Sequence, residues 1–297
     1  MRALIIDGGG TSTDVGVAIR GQIVARTLLP SARPTRADQQ TDELCRMVGS
    51  FLATTVIVGD DAQHDGLDVV IIGMAGVWTP RERHTYMASF KESWSMYVGL
   101  HATQLVVMSD VELVHFASHG SSEGVALIAG TGSIALYRDP KKTLHRSGGW
   151  GSTVDDAGSG MWLGRQACTA VARMLDGRGP STLLIRPVAN YLRVDADFPD
   201  EVRQALRGAQ LQTISRIGAA VLTYALEGDQ VAQQIRDHGA RELALLCTSL
   251  VSSGSVVVTG YGSLLSDAHY AQRVAELMPM PLQLMNDVVE AIPRQLQ

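Results

Sequence analysis

The sequence predicts an α/β protein of two lobes, each a mixed five-stranded sheet with helices. Three observations carry this. An apolar run, a glycine- and hydroxyl-rich turn and a second apolar run occur near the N-terminus (Leu4 to Ala18) and again at Val125 to Tyr137. Each copy is followed by a continuous apolar run ending in glycine, Val69 to Gly76 and Val256 to Gly262, which suits a strand buried on both faces of a parallel sheet. The 297 residues, 45% hydrophobic and 19% charged, are enough for two domains with a sizeable core.

The opening stretch Leu4-Ile5-Ile6-Asp7-Gly8-Gly9-Gly10-Thr11-Ser12-Thr13, with Val15-Gly16-Val17-Ala18 after it, reads as a hairpin. A third strand follows from Gly21 to Leu29, then a turn at Pro30 to Pro34. Helical spacing of Leu44, Val48, Phe51 and Leu52 predicts a helix over Ala37 to Thr55. Asp68 to Gly76 is a buried strand, Pro80 to Tyr97 a helix and Leu105 to Asp110 another buried strand. The order then begins again. Val125 to Tyr137 forms the second hairpin and Leu144 to Ser147 its third strand. A loop containing Gly148-Gly149-Trp150-Gly151 and Asp155-Asp156-Ala157-Gly158-Ser159-Gly160 opens a helix from Met161 to Leu175. A helical insert covers Pro187 to Leu226 and Val231 to Leu250, its Met and Leu stripes reading as core. The run Ser255 to Ser263, a strand at Leu282 to Met285 and a closing helix complete the copy. One topology used twice implies two lobes about a pseudo-twofold with a cleft between them. The boundary is expected in the polar stretch Ser118 to Gly124, giving lobes 1–118 and 119–297, with the terminal helix packing back on the first.

A net charge of −5 and four Phe leave no electrostatic footprint for nucleic acid. Cys45, Cys168 and Cys247 match neither a disulfide framework nor a zinc site. The apolar run before Asp7 is too short for a signal peptide, and none approaches the ~18 residues of a membrane span. The expectation is a reduced, cytoplasmic protein.

Three glycines let the first turn take positive φ and approach a ligand. Its N–H groups can cradle phosphate, with Thr11, Ser12 and Thr13 adding hydroxyls. Asp7 could hold Mg²⁺ through water; alone, it could equally be a turn-former in a tight hairpin. Gly130-Thr131-Gly132-Ser133 repeats the cradle. Asp110 ends a buried strand, where it could work on a substrate or cap a helix starting at Val111. Asp155 and Asp156 could cap a helix at Gly158, Trp150 could pack, and Gly260, Gly262 and Ser263 could form a strand–helix turn. His115, His119 and His145 show no ligand spacing.

Asp7 to Thr13, Ala129 to Ser133 and Val257 to Ser263 resemble, in order, the first phosphate, second phosphate and adenosine motifs of the actin-like ATPases, whose fold is ribonuclease H-like. Within that superfamily, Gly130 to Ser133, Gly148 to Gly151 and Asp156-x-Gly158-Ser159-Gly160 resemble N-acetylglucosamine and glucosamine kinases. The resemblance covers nearly the whole chain. It implies ATP on Asp7, Gly8, Gly9, Gly10, Thr11, Ser12, Gly130, Thr131, Gly132, Ser133, Gly260, Gly262 and Ser263, with Mg²⁺ at Asp7. It implies Asp110 as general base for the 6-hydroxyl of an amino sugar. Gly149, Trp150, Gly151, Asp156 and Arg33 would surround that sugar, expected to be N-acetylglucosamine, in a cytoplasmic homodimer.

The chain departs from these kinases at Ser31-Ala32-Arg33-Pro34, where Ala-Asn is frequent, at Ala157 and at Ile134. Arg33 would repel the ammonium of glucosamine and could donate to an acetamido oxygen; it could also be a solvated loop arginine. Glucosamine or another hexose is the alternative acceptor. An ATPase of the 2-hydroxyacyl-CoA dehydratase activator type would need cysteines near Gly130, which are lacking, and a non-catalytic sugar-binding relic need not keep these motifs together.

Overall fold

The computed structural model describes residues 1–34, 37–55, 66–251 and 254–296, with the side chains of 37–40 left aside. It forms two compact units, Met1–Ser121 with Asp287–Gln297, and Ser122–Asn286.

In chain order the first unit has β1 (Arg2–Gly8), β2 (Ser12–Ile19), β3 (Gln22–Pro30), α1 (Ala37–Thr54), β4 (Gly66–Met74), α2 (Pro80–Tyr97), β5 (His101–Met108) and α3 (Asp110–His119). The second has β6 (Gly124–Ala129), β7 (Ser133–Arg138), β8 (Leu144–Gly148), α4 (Gly160–Leu175), α5 (Ile185–Leu192), α6 (Pro199–Arg207), α7 (Leu211–Leu226), α8 (Gln230–Thr248), β9 (Val258–Tyr261), α9 (Ala268–Glu276) and β10 (Leu282–Leu284). A last helix, α10 (Val288–Gln295), belongs to the first unit.

Sheet order is β3-β2-β1-β4-β5 in one unit and β10-β9-β6-β7-β8 in the other. In both, three antiparallel meander strands come first and two parallel strands then extend the sheet from its first strand. The duplicated, mixed five-stranded fold is therefore as the sequence predicts. Hairpin neighbours pair through tight turns, whereas the parallel strands need helical crossovers.

Leu4, Ile6, Val70 and Ile72 from the first sheet meet Leu44, Val48 and Phe90 from α1 and α2 in one buried core. In the second unit Leu127 and Val258 pack with Leu163, Val171, Val221 and Leu243. Two boundaries differ from expectation. The stretch read as one helical region from Pro187 is three helices, because Arg193 ends α5 at φ 60, Pro199 starts α6 and Gly208 stops it. The strand expected to reach Asp110 stops at Met108, leaving Ser109 to start a helix.

Helices α4 and α7 touch backbone to backbone. A Cβ on Gly164 would lie 1.8 Å from the Ile214 carbonyl oxygen, and one on Gly218 would lie 2.0 Å from that of Gly160. Helix α10 packs on the first unit: Val289 fills the space where Gly16 lacks a side chain, Gln295 Nε2 donates to the Ala117 carbonyl at 3.1 Å, and Arg26 joins Asp14 to Asp287.

Candidate active-site elements

In the first unit, the candidate residues gather at the C-terminal ends of the parallel strands. Asp7 is the penultimate residue of β1, in register with Gly73 of β4 and Asp14 of β2, and is buried. Beyond it the chain emerges: Gly10 and Thr11 are exposed and Ser12 half-buried. The turn closes with the Gly9 N–H donating to the Ser12 carbonyl at 2.9 Å. Gly8, Gly9 and Gly10 do not carry the positive φ expected of them. Gly8 instead makes room for the end of the Met74 side chain, whose sulfur lies 2.4 Å from where a Cβ would stand.

Thr13 also departs from expectation. It is fully buried, and its hydroxyl oxygen accepts the Ala32 N–H at 3.0 Å, so it ties down the next loop instead of facing a phosphate. Ser31 makes the companion tie, its hydroxyl donating to the Gly9 carbonyl at 2.9 Å. Thr13→Val should strand the buried Ala32 N–H and cost about 1–3 kcal/mol, read as an earlier midpoint in urea unfolding with an unchanged slope.

Asp110 is the first residue of α3, but it is not the cap. Ser109 holds that position: its hydroxyl accepts the Glu112 N–H at 3.3 Å while Glu112 Oε2 accepts the Ser109 N–H at 2.8 Å. Arg83 donates to the same Glu112 oxygen at 2.7 Å and to the Trp78 carbonyl at 2.9 Å, joining the β4–α2 loop to the start of α3. With capping assigned to Ser109, the Asp110 carboxylate accepts from the adjacent Val111 N–H at 2.8 Å and from its own backbone N–H. Burial raises its pKa; the Val111 N–H and the positive charge of Arg33 pull the other way. Arg33 is exposed, and its Nε lies 3.6 Å from where a Cβ of Gly76 would stand. The first unit thus places the glycine turn, Arg33 and Asp110 on elements fastened to one another.

In the second unit the turn Gly130–Ser133 is closed by the Gly130 N–H on the Gly132 carbonyl at 3.0 Å. The loop before α4 docks on it: the Gly160 N–H donates to the Gly130 carbonyl at 2.8 Å, and the Ser133 hydroxyl to the Ala157 carbonyl at 2.8 Å. Asp156 is buried at φ 58. Its Oδ1 accepts the Gly151 N–H at 3.2 Å, and its Oδ2 lies 2.9 Å from where a Cβ of Gly132 would stand. Neither Asp155 nor Asp156 caps α4, because Ser159 does so by accepting the Trp162 N–H at 3.2 Å. Asp156 therefore links the second turn to the loop that carries Trp150.

Trp150 is 64% exposed, with the Arg146 guanidinium 5.2 Å from its ring centre. Gly149 and Gly151 flank it at positive φ. Ile134 lies directly under Gly149, where a Cβ would meet its Cδ1 at 2.6 Å. It therefore supports the tryptophan loop.

Gly260, Gly262 and Ser263 separate in role and do not open a helix: α9 starts only at Ala268, capped by Asp267. Gly260 is buried within β9 under Leu265, Leu282 and Leu284. Gly262 turns the chain at φ 113, where a Cβ would lie 2.6 Å from the Ala129 carbonyl oxygen. Ser263 is exposed beside it, 4.0 Å from a Cβ position on Gly130. The turn at Gly262 and the turn at Gly130–Ser133 are thus neighbours.

No group of three or more His, Cys, Asp or Glu side chains among the described residues could hold a metal alone. A buried carboxylate beside an open turn does fit Mg²⁺, which commonly takes one or two carboxylates and completes its shell with water and phosphate oxygens. No helix among the described residues is long and apolar enough to cross a membrane.

The chain is similar over most of its length to known proteins. The model of the BadF/BadG/BcrA/BcrD ATPase family matches residues 6–287. An N-acetylmuramic acid/N-acetylglucosamine kinase of Clostridium acetobutylicum is 26% identical over 271 residues, 89% of this chain and 86% of that protein. An N-acetyl-D-glucosamine kinase of Dictyostelium discoideum is 28% identical over 261 residues, 83% of this chain and 78% of its own. The crystal structure of a proposed N-acetylglucosamine kinase from Chromobacterium violaceum superposes with a TM-score of 0.76 at 21% identity, covering 100% of this chain and 99% of the other.

Proposed function

We propose, from the premise that this chain belongs to the BadF/BadG/BcrA/BcrD ATPase family, that it is an ATP-dependent kinase acting on the 6-hydroxyl of an acetamido sugar such as N-acetylglucosamine. The observation that carries this reading is Asp110: a carboxylate relieved of capping by Ser109, on a helix fastened to the strands that bear the first phosphate turn. The two relatives named as N-acetylglucosamine kinases, each matched over most of its length, support the choice of acceptor.

Asp110 accepts the proton of the 6-hydroxyl as the oxygen attacks the γ-phosphorus, and the bond to the ADP oxygen breaks. The N–H groups and hydroxyls of Gly8 to Ser12 and of Gly130 to Ser133 hold phosphate oxygens, with Gly262 and Ser263 toward the nucleoside. Asp7 would hold Mg²⁺ through water, and the ion would supply charge neutralisation for the phosphates. Arg33 of the first unit, and Gly149, Trp150, Gly151 and Asp156 of the second, are the residues proposed for the sugar. The dehydratase-activator alternative is disfavoured by the thiols: Cys45 and Cys247 are buried, and burial pushes the Cys168 thiol up to about 11, which suits inert side chains rather than cluster ligands.

A coupled ADP-release assay over hexosamines and hexoses tests the reading, with fastest turnover expected on an N-acetylated hexosamine. Calorimetric titration should show ATP binding that tightens when Mg²⁺ is added; no nucleotide binding at millimolar concentration would end the kinase reading.

A further inference from the structure

We propose that Arg26 is a positioning residue for the nucleotide's metal: by holding and neutralising Asp14, it keeps a second carboxylate away from the ion proposed at Asp7. This deepens the kinase reading above and rests on it.

Strand register creates the problem that Arg26 solves. Asp7 of β1 and Asp14 of β2 are direct cross-strand partners. Their side chains therefore stand on one face of the sheet, with Cβ atoms about 4.5–5.5 Å apart. Both flank the glycine turn, one at the end of the outgoing strand and one near the start of the returning strand. Like charges directly opposite each other are destabilising. Asp7 is buried, where water screens such repulsion poorly.

A single guanidinium meets this. Arg26 of β3 is in register with Gly16, two residues along β2 from Asp14 and on the same face. Its Nε donates to Asp14 Oδ1 at 2.9 Å and its Nη2 to Oδ2, a two-pronged pair that occupies both oxygens of that carboxylate. The remaining Nη1 donates to Asp287 Oδ2. Asp287 is itself fixed as the N-cap of α10, its Oδ1 accepting the Glu290 N–H at 2.9 Å. Held from two sides, this arginine differs from one in a loose surface ion pair.

Fastening α10 does not call for Asp14. The pair of Arg26 with Asp287 makes that tie, and Val289 and Gln295 make two more. What Asp14 gains from Arg26 is charge balance beside the turn. Mg²⁺ takes one or two carboxylates and fills the rest of its shell with water and phosphate oxygens. A bare Asp14 would offer the ion an extra carboxylate and would repel the triphosphate proposed for the turn. Paired with Arg26, it does neither.

Calorimetric titration with ATP, in Mg²⁺ and again with the metal chelated, gives the factor by which the metal tightens binding. In Arg26→Met, metal-free ATP should bind more weakly and the factor should grow about 10-fold, the effect of one partly screened unit charge several ångströms away. In Asp14→Asn, where Arg26 is left as a spare cation, the factor should shrink. In the double variant the two effects should cancel. Val289→Ala is the control: it loosens α10 over Gly16 without changing any charge, so it should lower the melting temperature and leave the factor as in the wild type. A factor unmoved in Arg26→Met overturns the proposal. So does a factor moved in the same direction by Arg26→Met and Asp14→Asn, or moved as far by Val289→Ala. If Arg26→Met does not fold, Asp14→Asn decides: a smaller factor supports the role, and an equal or larger one refutes it. A wild type that binds no ATP ends the kinase reading and this proposal together, whereas binding with an unmoved factor ends this proposal alone.

Discussion

Asp110→Asn should lower kcat by about 10²–10⁴-fold, the range associated with a general base, while ATP affinity stays close to that of the wild type. Stability is expected to move the other way. Burial is the main cause of the raised Asp110 pKa, so the fold favours the neutral carboxyl. Stability from this group is complete below its unfolded pKa and is lost as pH rises through the folded one. At pH 7 the ionised side chain is a cost, and asparagine, which can still accept the Val111 N–H, should leave the melting temperature unchanged or higher. Ser109→Ala is the control: it removes the actual cap and should cost about 0.5–2 kcal/mol. The pH profile of the wild type adds a third reading. A general base at Asp110 must be ionised, so on the proposed reading kcat/KM should fall on acidification through a pKa above the ordinary carboxylate range. Full turnover in Asp110→Asn would remove Asp110 from the chemistry.

Gly218→Ala should be among the most damaging single methyl groups in the protein. The added carbon would stand 2.0 Å from the Gly160 carbonyl oxygen, a backbone atom that cannot rotate away. The cost is expected at about 2–4 kcal/mol, beyond the usual penalty for an exposed helical site, or roughly 5–15 °C in melting temperature for a domain of this size. The effect should also reach the nucleotide, because Gly160 N–H holds the Gly130 carbonyl of the second turn. The KM for ATP should therefore rise in the protein that remains folded. A melting shift under about 2 °C would mean that α4 and α7 separate at little cost.

The duplicated sheets were legible because both rest on local signals: unbroken apolar runs for strands buried on two faces, and glycine turns at their ends. The individual roles of site residues were less so. Thr13 alternates with Val15 and Val17, and that parity already puts its hydroxyl on the buried side. Its place in a glycine-hydroxyl motif is what made it look like a phosphate ligand. Ser109-x-x-Glu112 is a capping-box pattern, and reading it would have separated the cap from Asp110 beforehand. Gly260 and Gly262 are two residues apart yet differ wholly, one packed under leucines and one in a left-handed turn, a distinction made by neighbours from other strands. Arg33 beside Asp110, and Gly164 and Gly218 against facing backbones, are juxtapositions between distant segments. No local pattern encodes them.

The return of α10 to the first unit has a consequence for how the protein is made. A ribosome delivers β1 through α3 early, then all of Ser122–Asn286, and only afterwards the helix whose Val289 fills the space at Gly16 and whose Asp287 completes the Arg26 pair. Domains usually fold as they emerge, N-terminal first. Here the first to emerge must wait, with the apolar surface under α10 uncovered while the inserted unit is translated and folds. Nascent chains halted before residue 287 are thus the form of this protein most in need of a chaperone, and most exposed to proteases.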